Sequence, residues 1–492
     1  MINRFSKKCE IFSKLFFAVC FTFFVLNISA QNFKQEAVEF QNEDIKLSGT
    51  LFLPDVKQKT PAVVILHGSG PDEGLGYKIY GEEFSKLGIA TLVYDKRGSG
   101  KSGGDWQQRS FENMANDALA AVKYLQNRPE IDSKKVGIWG ISQGGWTAAF
   151  AAARSENVAF VISVSGNGIS PTKQEMFHKD EMYQALGYSE KARDTALKFW
   201  KLAFDWLVLV DEGKFPLPKN LMQSELSAAS IGLNYDPLPD WEKVKQPVLL
   251  IHGEKDKLSP HNEAIATIFN ALKKGGNENL TVRVFPNASH TITTNKTGLE
   301  FDWEDNFVPD YFQFTTDWIK AKTNGENFSN TNPELKDLTA SADFEDGGRY
   351  GKLSWFGKTY PQLLLMFFFP VFYFGYLLFC IFRIIKKEDK IVLKRLSGGI
   401  ALLNFLLVIC FFVFIGQSIF PFGIDLVKNY SIPVWQKILP LIGDLSLIFS
   451  VVLLAKIIIN RSNFNFHQIV FLFVNCIFAG WLYYWNFLGF LF

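Results

Sequence analysis

The chain has 492 residues, of which 48% are hydrophobic and 15% are aromatic, and its formal net charge is +2. This balance excludes the strongly basic surface that nucleic-acid binding needs, so we expect no nucleic-acid partner. The length allows more than one domain. The five cysteines all lie outside residues 31–360, so we expect neither a disulfide nor a thiol nucleophile there.

Residues 1–30 are typical of a signal peptide. Arg4, Lys7, Lys8 and Lys14 are followed by the apolar run 15–28, and the Ala30–Gln31 junction suits cleavage. An uncleaved anchor helix is the alternative.

A mainly parallel sheet is predicted for the next 290 residues. Residues 36–53 alternate between polar and apolar side chains, with a break at 42–44 that is typical of a hairpin. Helical stretches separate most of the later strands, which favours helices on both faces of the sheet. Those strands are predicted at 61–66, 89–94, 135–140, 158–165, 247–252 and 280–285.

The segment Gly140-Ile141-Ser142-Gln143-Gly144-Gly145 follows one of these strands and precedes a helix. Glycines around a serine at such a turn allow a strained backbone, which exposes the hydroxyl. We therefore predict that Ser142 is a nucleophile in acyl transfer to water.

A serine nucleophile needs a base and an orienting carboxylate. His290 follows the last strand and is the predicted base. Asp256, after the preceding strand, is the predicted acid, with Glu254 as its local alternative.

The predicted strand at 61–66 ends in His67-Gly68-Ser69-Gly70. Such a glycine turn can present backbone N–H groups to an oxyanion, and we assign that function to the N–H groups of Ser69 and Gln143. His67 is expected to hold the turn by hydrogen bonds.

Together these motifs resemble the α/β-hydrolase superfamily from about Val38 to Lys320, in particular bacterial esterases, dienelactone-hydrolase-like and serine-aminopeptidase-like proteins. The resemblance implies an α/β-hydrolase fold, with Asp95 and Arg97 bracing loops around the site. The run 98–102, Gly-Ser-Gly-Lys-Ser, also suggests a phosphate-binding loop. Asp95 replaces the glycine that such a loop requires, so we expect no nucleotide.

The hydrolase domain is predicted at 31–320, with a helical cap inserted at about 167–240. The cap aromatics could form the cap's own core, which we favour, or line the substrate pocket: Phe199, Trp200, Phe204 and Trp206. Residues 321–360 are rich in Asn, Gly, Ser, Thr and Asp and are predicted to be a linker with little core-forming power.

Four transmembrane helices are predicted within 361–492, at about 361–384, 398–420, 438–459 and 465–490, since each exceeds the roughly 20 residues that cross a bilayer. Basic residues in the first and third loops place those loops in the cytoplasm. The predicted location is the bacterial cytoplasmic membrane, with the hydrolase domain on its outer side.

The predicted function is therefore a membrane-tethered serine hydrolase, most simply a carboxylesterase, with small-molecule ester or amide substrates and the lipid bilayer as partners. A serine peptidase is one alternative, in which Glu175, Asp180 and Glu181 would hold a substrate ammonium. A transport or signalling module with an accessory hydrolase is another. No His/Cys/Glu cluster has zinc spacing, so we expect neither metal nor cofactor. The oligomeric state stays open.

Overall fold

A computed structural model describes residues 33–70, 74–106, 110–216, 232–294, 296–299, 306–328, 332, 339–386, 391–419, 434–459 and 465–488. The predicted signal peptide lies outside the described residues, as do the chain positions 387–390, 420–433 and 460–464 between the apolar helices.

An eight-stranded sheet forms the centre of the first 330 residues, with strand order β1-β2-β4-β3-β5-β6-β7-β8. The β1–β2 and β2–β4 pairs are antiparallel, and the remaining pairs are parallel. The strands are β1 Phe33–Asn42, β2 Ile45–Pro54, β3 Thr60–Leu66, β4 Ala90–Tyr94, β5 Ile131–Ile141, β6 Val161–Val164, β7 Val248–Gly253 and β8 Leu280–Phe285. The predicted hairpin, strand positions and mainly parallel sheet are confirmed.

Helices cover both faces of the sheet, as predicted. On one face α2 (Phe111–Gln126), α3 (Gln143–Ala152) and α7 (His261–Lys274) pack through small and branched side chains. On the other face α1 (Lys78–Lys86) and α8 (Tyr311–Thr323) pack through larger aromatic residues. Because the central strands are buried on both sides, they consist of almost continuous apolar residues.

In the described part of the chain, three helices lie between β6 and β7, in the region of the predicted cap. They are α4 (Pro171–Ala185), α5 (Glu190–Asp211) and the one-turn α6 (Leu238–Trp241). Ser170 caps α4 by accepting a hydrogen bond from the Lys173 N–H, and Pro171 occupies the first turn, where a missing N–H costs nothing. Trp200 and Phe204 lie in the cap's own apolar cluster, whereas Phe199 packs with the C-terminal helices.

The predicted linker 321–360 differs from expectation. Residues 321–323 still belong to α8, and the described part from 339 onward packs on the cap through Phe344 and Tyr350. Arg349 also forms ion pairs with Asp180 and Asp194 of the cap helices. Composition predicts little core-forming power, yet two aromatic rings and one guanidinium of this segment, here called the strap (residues 339–358), contact the cap helices.

Four apolar helices form the C-terminal bundle: α9 (Thr359–Ile385), α10 (Ile391–Ile419), α11 (Val434–Ile459) and α12 (Phe466–Tyr484). All four are long and apolar enough to cross a membrane. The second begins seven residues before the predicted span, so Arg395 lies within the helix and not in the preceding loop. The fourth ends at Tyr484, six residues before the predicted limit.

Candidate active site

Ser142 is the single residue between the end of β5 and the start of α3, and its backbone has φ 54° and ψ −116°. A non-glycine residue in such a conformation costs on the order of 1–3 kcal/mol and persists only where its surroundings hold it. Here the Ser142 N–H donates to the Val164 carbonyl at 2.9 Å, and its own carbonyl accepts from the Gly145 N–H at 2.9 Å. The serine therefore occupies a fixed, strained turn, as its flanking sequence predicts.

The glycines of this turn are required by close backbone contacts. A Cβ added at Gly140 would lie 2.1 Å from the Gly144 carbonyl oxygen, and one at Gly144 would lie 2.3 Å from the Leu66 carbonyl oxygen. The end of β5, the start of α3 and the end of β3 thus approach more closely than any side chain would allow.

Asp256 and His290 form a buried hydrogen-bonded pair beyond the ends of β7 and β8. His290 Nδ1 lies 2.9 Å from Asp256 Oδ2, and both side chains are almost fully buried. The second carboxylate oxygen accepts hydrogen bonds from the N–H groups of Leu258 and Ser259 at 2.8 and 2.9 Å. Burial alone would raise the pKa of Asp256, but His290 and these backbone donors outweigh it and hold the pKa below its usual value.

An ionised carboxylate can only accept, so the proton of this hydrogen bond belongs to Nδ1, an arrangement that in the neutral ring leaves the lone pair on Nε2. This is the tautomer that a general base needs. The alternative acid, Glu254, is engaged elsewhere, because its carboxylate accepts from the Asn287 N–H at 3.0 Å.

A chain of hydrogen bonds links the serine turn to the histidine loop. The Ser142 N–H binds the last residue of β6, Val164, and the next residue, Ser165, donates through its hydroxyl to the His290 carbonyl at 2.8 Å. The ends of β5, β6 and β8 are thereby fixed relative to one another at one edge of the sheet.

The proposed oxyanion turn lies beside the serine. A Cβ at Gly68 would be 3.9 Å from the Ser142 Cβ. The Gly68 N–H donates to the Tyr77 hydroxyl at 3.0 Å, which fixes the turn from the α1 side. Gln143 is buried, whereas Ser69 is exposed.

Lys96 is a supporting residue that the sequence analysis missed. Its buried ammonium donates to the carbonyls of Gly68 and Gly70 and to Oε1 of Gln143, the last at 3.3 Å. Lys96 therefore connects the turn that contains Ser69 to Gln143, and these two residues carry the predicted oxyanion donors. Its position after a strand and before Arg97 is the one sequence signal for a role near the site. Nothing in the neighbouring sequence distinguishes it from a solvated lysine.

The expectation for His67 is wrong. Neither of its ring nitrogens has a hydrogen-bond partner among the described residues, and the ring instead stacks on Tyr77 at a centroid distance of 4.4 Å. Burial, with a contribution from the Lys96 charge, lowers its pKa well below the usual value, so the ring is neutral. His67 supports the turn by packing.

Asp95 and Arg97 brace loops, in agreement with the sequence analysis. Asp95 accepts from the N–H groups of Gly74 and Lys101 at 2.7 and 2.8 Å, and Arg97 forms a bidentate ion pair with buried Asp117. A Cβ at Gly100 would lie 2.4 Å from the Asp95 carboxylate, which therefore fills the loop where a phosphate would have to sit.

Part of the chain is similar in sequence to known hydrolases. Residues 119–295 match the family described as BAAT / Acyl-CoA thioester hydrolase C terminal. The quorum-quenching protein AidA of Acinetobacter baumannii is 35% identical over 127 residues, which cover 26% of this chain and 42% of AidA. Thiohydrolase aneE of Aspergillus aculeatus is 36% identical over 151 residues, which cover 30% of this chain and 46% of aneE. The chain thus spans less than half the length of these two relatives.

Among solved structures, the α/β hydrolase GrgF from Penicillium sp. sh18 matches 59% of this chain and 99% of its own length, with 20% identity and a TM-score of 0.42. The strand order of the sheet, with the serine turn after its fifth strand, decides the classification. The chain has the α/β-hydrolase fold.

In this α/β-hydrolase domain the three cap carboxylates suggested for an ammonium site already have cationic partners. Glu181 pairs with Lys257 at 3.0 Å, and Glu175 lies 3.9 Å from Lys179. Asp180 accepts from Arg193, Arg349 and Tyr350, and the last two hold its pKa low against the opposing effect of burial. An aminopeptidase would need an uncompensated carboxylate, so this arrangement does not favour the peptidase alternative.

Proposed function

We propose that this protein is a membrane-tethered serine hydrolase that cleaves carboxylic esters through an acyl-enzyme on Ser142. One combination of observations carries the proposal: a strained serine at the strand–helix turn, and a buried His290–Asp256 pair at the same edge of the sheet. The serine supplies the nucleophile, and the pair supplies a base that is already in the required tautomer.

In the proposed reaction, His290 Nε2 takes the Ser142 hydroxyl proton as Oγ attacks the ester carbonyl carbon. The N–H groups of Ser69 and Gln143 hold the oxyanion, and Asp256 stabilises the imidazolium. The C–O bond to the alcohol breaks, and the imidazolium returns the proton to the leaving alkoxide. Water, deprotonated by His290, then hydrolyses the acyl-enzyme to a carboxylic acid and restores Ser142.

Thioesters are a second candidate substrate class. The matched family carries acyl-CoA thioester hydrolase in its description, and aneE is named a thiohydrolase. The same acyl-enzyme forms from either substrate, and only the leaving group changes from an alcohol to a thiol.

The apolar bundle supports membrane anchoring. The described residues of its helices include many exposed large apolar side chains, among them Phe367, Ile459 and Phe473, whose exposure would be costly in water. With the basic-residue pattern of the sequence, we place the α/β-hydrolase domain on the outer side of the cytoplasmic membrane.

The decisive test uses the full chain in detergent and a fluorophosphonate probe, which reacts only with an activated serine. We expect labelling of the wild type and hydrolysis of p-nitrophenyl butyrate. Ser142→Ala should lose both, with a drop in turnover of about 10⁴-fold or more, whereas exposed Ser133→Ala should retain both. Labelling that survives in Ser142→Ala would exclude Ser142 as the nucleophile.

The substrate class is assigned by comparing matched butyryl esters, butyryl thioesters and amino-acid p-nitroanilides on the same preparation. Higher kcat/KM for the anilides would favour the peptidase alternative over the esterase.

A further inference from the structure

We propose that the active site takes its substrate from the bilayer: a long-chain acyl ester whose apolar chain resides in the outer leaflet. This inference rests on the proposed function and adds to it the substrate class and the route of entry. Three successive contacts, from the catalytic edge to the end of the bundle, carry it.

The first contact joins the catalytic edge to cap helix α4. Lys257 directly follows Asp256 in the chain. Its carbonyl oxygen lies 3.3 Å from His178 Nδ1, and its ammonium pairs with Glu181 at 3.0 Å. Helix α4 therefore covers the edge at which the His290–Asp256 pair lies.

The second contact joins α4 to α5. Asp180 of α4 pairs with Arg193 of α5 at 2.7 Å, and Trp200 donates through its indole N–H to the Tyr183 hydroxyl at 2.8 Å. All four side chains are buried or nearly so, and their contacts hold α4 and α5 together.

The third contact joins α5 to the bundle. Phe199 stacks on Trp485 with a centroid distance of 4.2 Å, and Lys191 donates to the Leu488 carbonyl at 2.7 Å. Further along α5, Asp205 accepts from both the N–H and the hydroxyl of Thr359, the first residue of α9. Since 22 helical residues span about 33 Å, α5 lies across the end of the bundle from one helix terminus to another.

These contacts orient the catalytic edge toward the bilayer. Among the described residues, α4 and α5, each about 10 Å in diameter, lie between that edge and the bundle end. Exposed aromatic side chains lie near the start of α9, at the bundle end that α5 contacts. Trp355 is 76% exposed and Tyr360 is 53% exposed, and Tyr360 packs near Phe215 of the cap. Tryptophan and tyrosine at this position are typical of the membrane–water interface.

A site in this orientation meets membrane-resident molecules at high local concentration. Each methylene of an acyl chain raises bilayer partitioning roughly fourfold, so a long-chain ester is almost absent from water. The bundle thus acts as more than a tether, because it sets the distance and direction from which the ester reaches Ser142.

The test uses the full chain reconstituted in phosphatidylcholine vesicles, with 4-methylumbelliferyl palmitate and 4-methylumbelliferyl butyrate, which share a leaving group. The palmitate is diluted with phosphatidylcholine at constant bulk concentration. We expect its hydrolysis to fall in proportion to its mole fraction in the bilayer, and to exceed butyrate hydrolysis in kcat/KM by about tenfold or more. Fluorophosphonate labelling of Ser142 on the same vesicles reports the proposed function separately.

Variants of the α5–bundle contact sharpen the test. Phe199→Ala removes the stack on Trp485. Thr195→Val is a smaller change that removes a hydroxyl which donates to the Trp485 carbonyl and accepts from the Asn486 side-chain amide. Both should lower palmitate hydrolysis while leaving butyrate hydrolysis and serine labelling unchanged. Phe382→Ala, at the far end of α9 and 54% exposed, is the matched control and should change neither substrate.

The outcomes are distinguishable. Loss of labelling and of both activities in the wild type overturns the proposed function and the inference with it. Intact labelling with butyrate preferred, or with palmitate hydrolysis independent of its mole fraction, overturns the inference alone. If Phe199→Ala loses labelling through misfolding, Thr195→Val decides.

Discussion

At the residue scale, a few buried polar side chains do more for the candidate site than their sequence context indicates. Lys96 connects the proposed oxyanion turn to Gln143 through three acceptors, and without it the Gly68 and Gly70 carbonyls would lose a charged donor. Electrostatic preorganisation of this kind acts mainly on the transition state and not on substrate binding.

We therefore expect Lys96→Met to lower kcat for p-nitrophenyl butyrate by about tenfold or more, with KM nearly unchanged. The measurement is steady-state kinetics on the detergent-solubilised full chain. Lys101→Met, with an exposed side chain in the same loop, is the control and should match the wild type. A rise in KM with kcat preserved would assign Lys96 to substrate binding instead.

Buried His252 makes the free energy of unfolding depend on pH. It is fully buried, neither ring nitrogen has a partner among the described residues, and burial with a smaller effect of His261 lowers its pKa to about 3. The unfolded chain binds a proton at this residue near pH 6.5, whereas the folded chain does not. The contribution of neutral His252 to the free energy of unfolding is therefore fully present above about pH 7.5 and is lost as the pH falls below about 6.5.

At pH 5 the loss attributable to His252 should be about 2 kcal/mol. Thermal unfolding of His252→Gln and of the wild type, each at about pH 7.5 and 5, measures it, and the variant should show the smaller decrease. Equal decreases in the two proteins would mean that His252 does not set the acid sensitivity.

At the element scale, close backbone contacts constrain the junction of β3, β5 and α3 in the α/β-hydrolase domain. Gly140→Ala should destabilise the fold by about 3 kcal/mol or more, because the new methyl group meets the backbone oxygen of Gly144 and neither strand nor helix can move away. The control is Gly76→Ala, where an added Cβ meets no atom within 4 Å. Thermal shift with full-length protein measures both, and similar shifts would refute the packing argument.

The same elements show how far sequence reasoning reaches. Strand positions, the serine turn and the order Ser142, Asp256, His290 follow from local patterns, because a strand, a glycine turn and a polar residue after a strand are each encoded within about ten residues. Lys96, the stacked His67 and the packed strap do not follow, since each depends on which distant segments meet in space. Phe199 is the clearest example: its spacing on α5 is that of any cap-core aromatic, yet it packs against the bundle.

At the scale of the whole molecule, the bundle has a polar interior that the hydropathy of its helices hides. Asn475 accepts hydrogen bonds from Tyr373 and Asn404 and donates to Ser450, so that residues from all four helices meet in one network. Interhelical hydrogen bonds of this kind contribute about 0.6–2 kcal/mol each in membranes. The network gives these buried polar side chains hydrogen-bond partners within the bundle.

Asn475→Leu should therefore destabilise the bundle by about 1–2 kcal/mol. The neighbouring Cys476→Leu, which changes an exposed side chain, should have little effect. Unfolding in mixed detergent, followed by tryptophan fluorescence, compares the two. An Asn475→Leu protein as stable as the Cys476→Leu protein would indicate that the network serves something other than stability.

The packing of α5 on both the cap and the bundle also bears on how a protease could detach the α/β-hydrolase domain from the bundle. A protease cut between Thr323 and Ser341 would sever the peptide link from the catalytic portion to the bundle, but α5 would remain held by Phe199, Lys191 and Asp205. The cleaved protein should sediment with membranes until detergent or heat separates the two fragments. Separation of the two fragments would require breaking an apolar interface as well as a peptide bond.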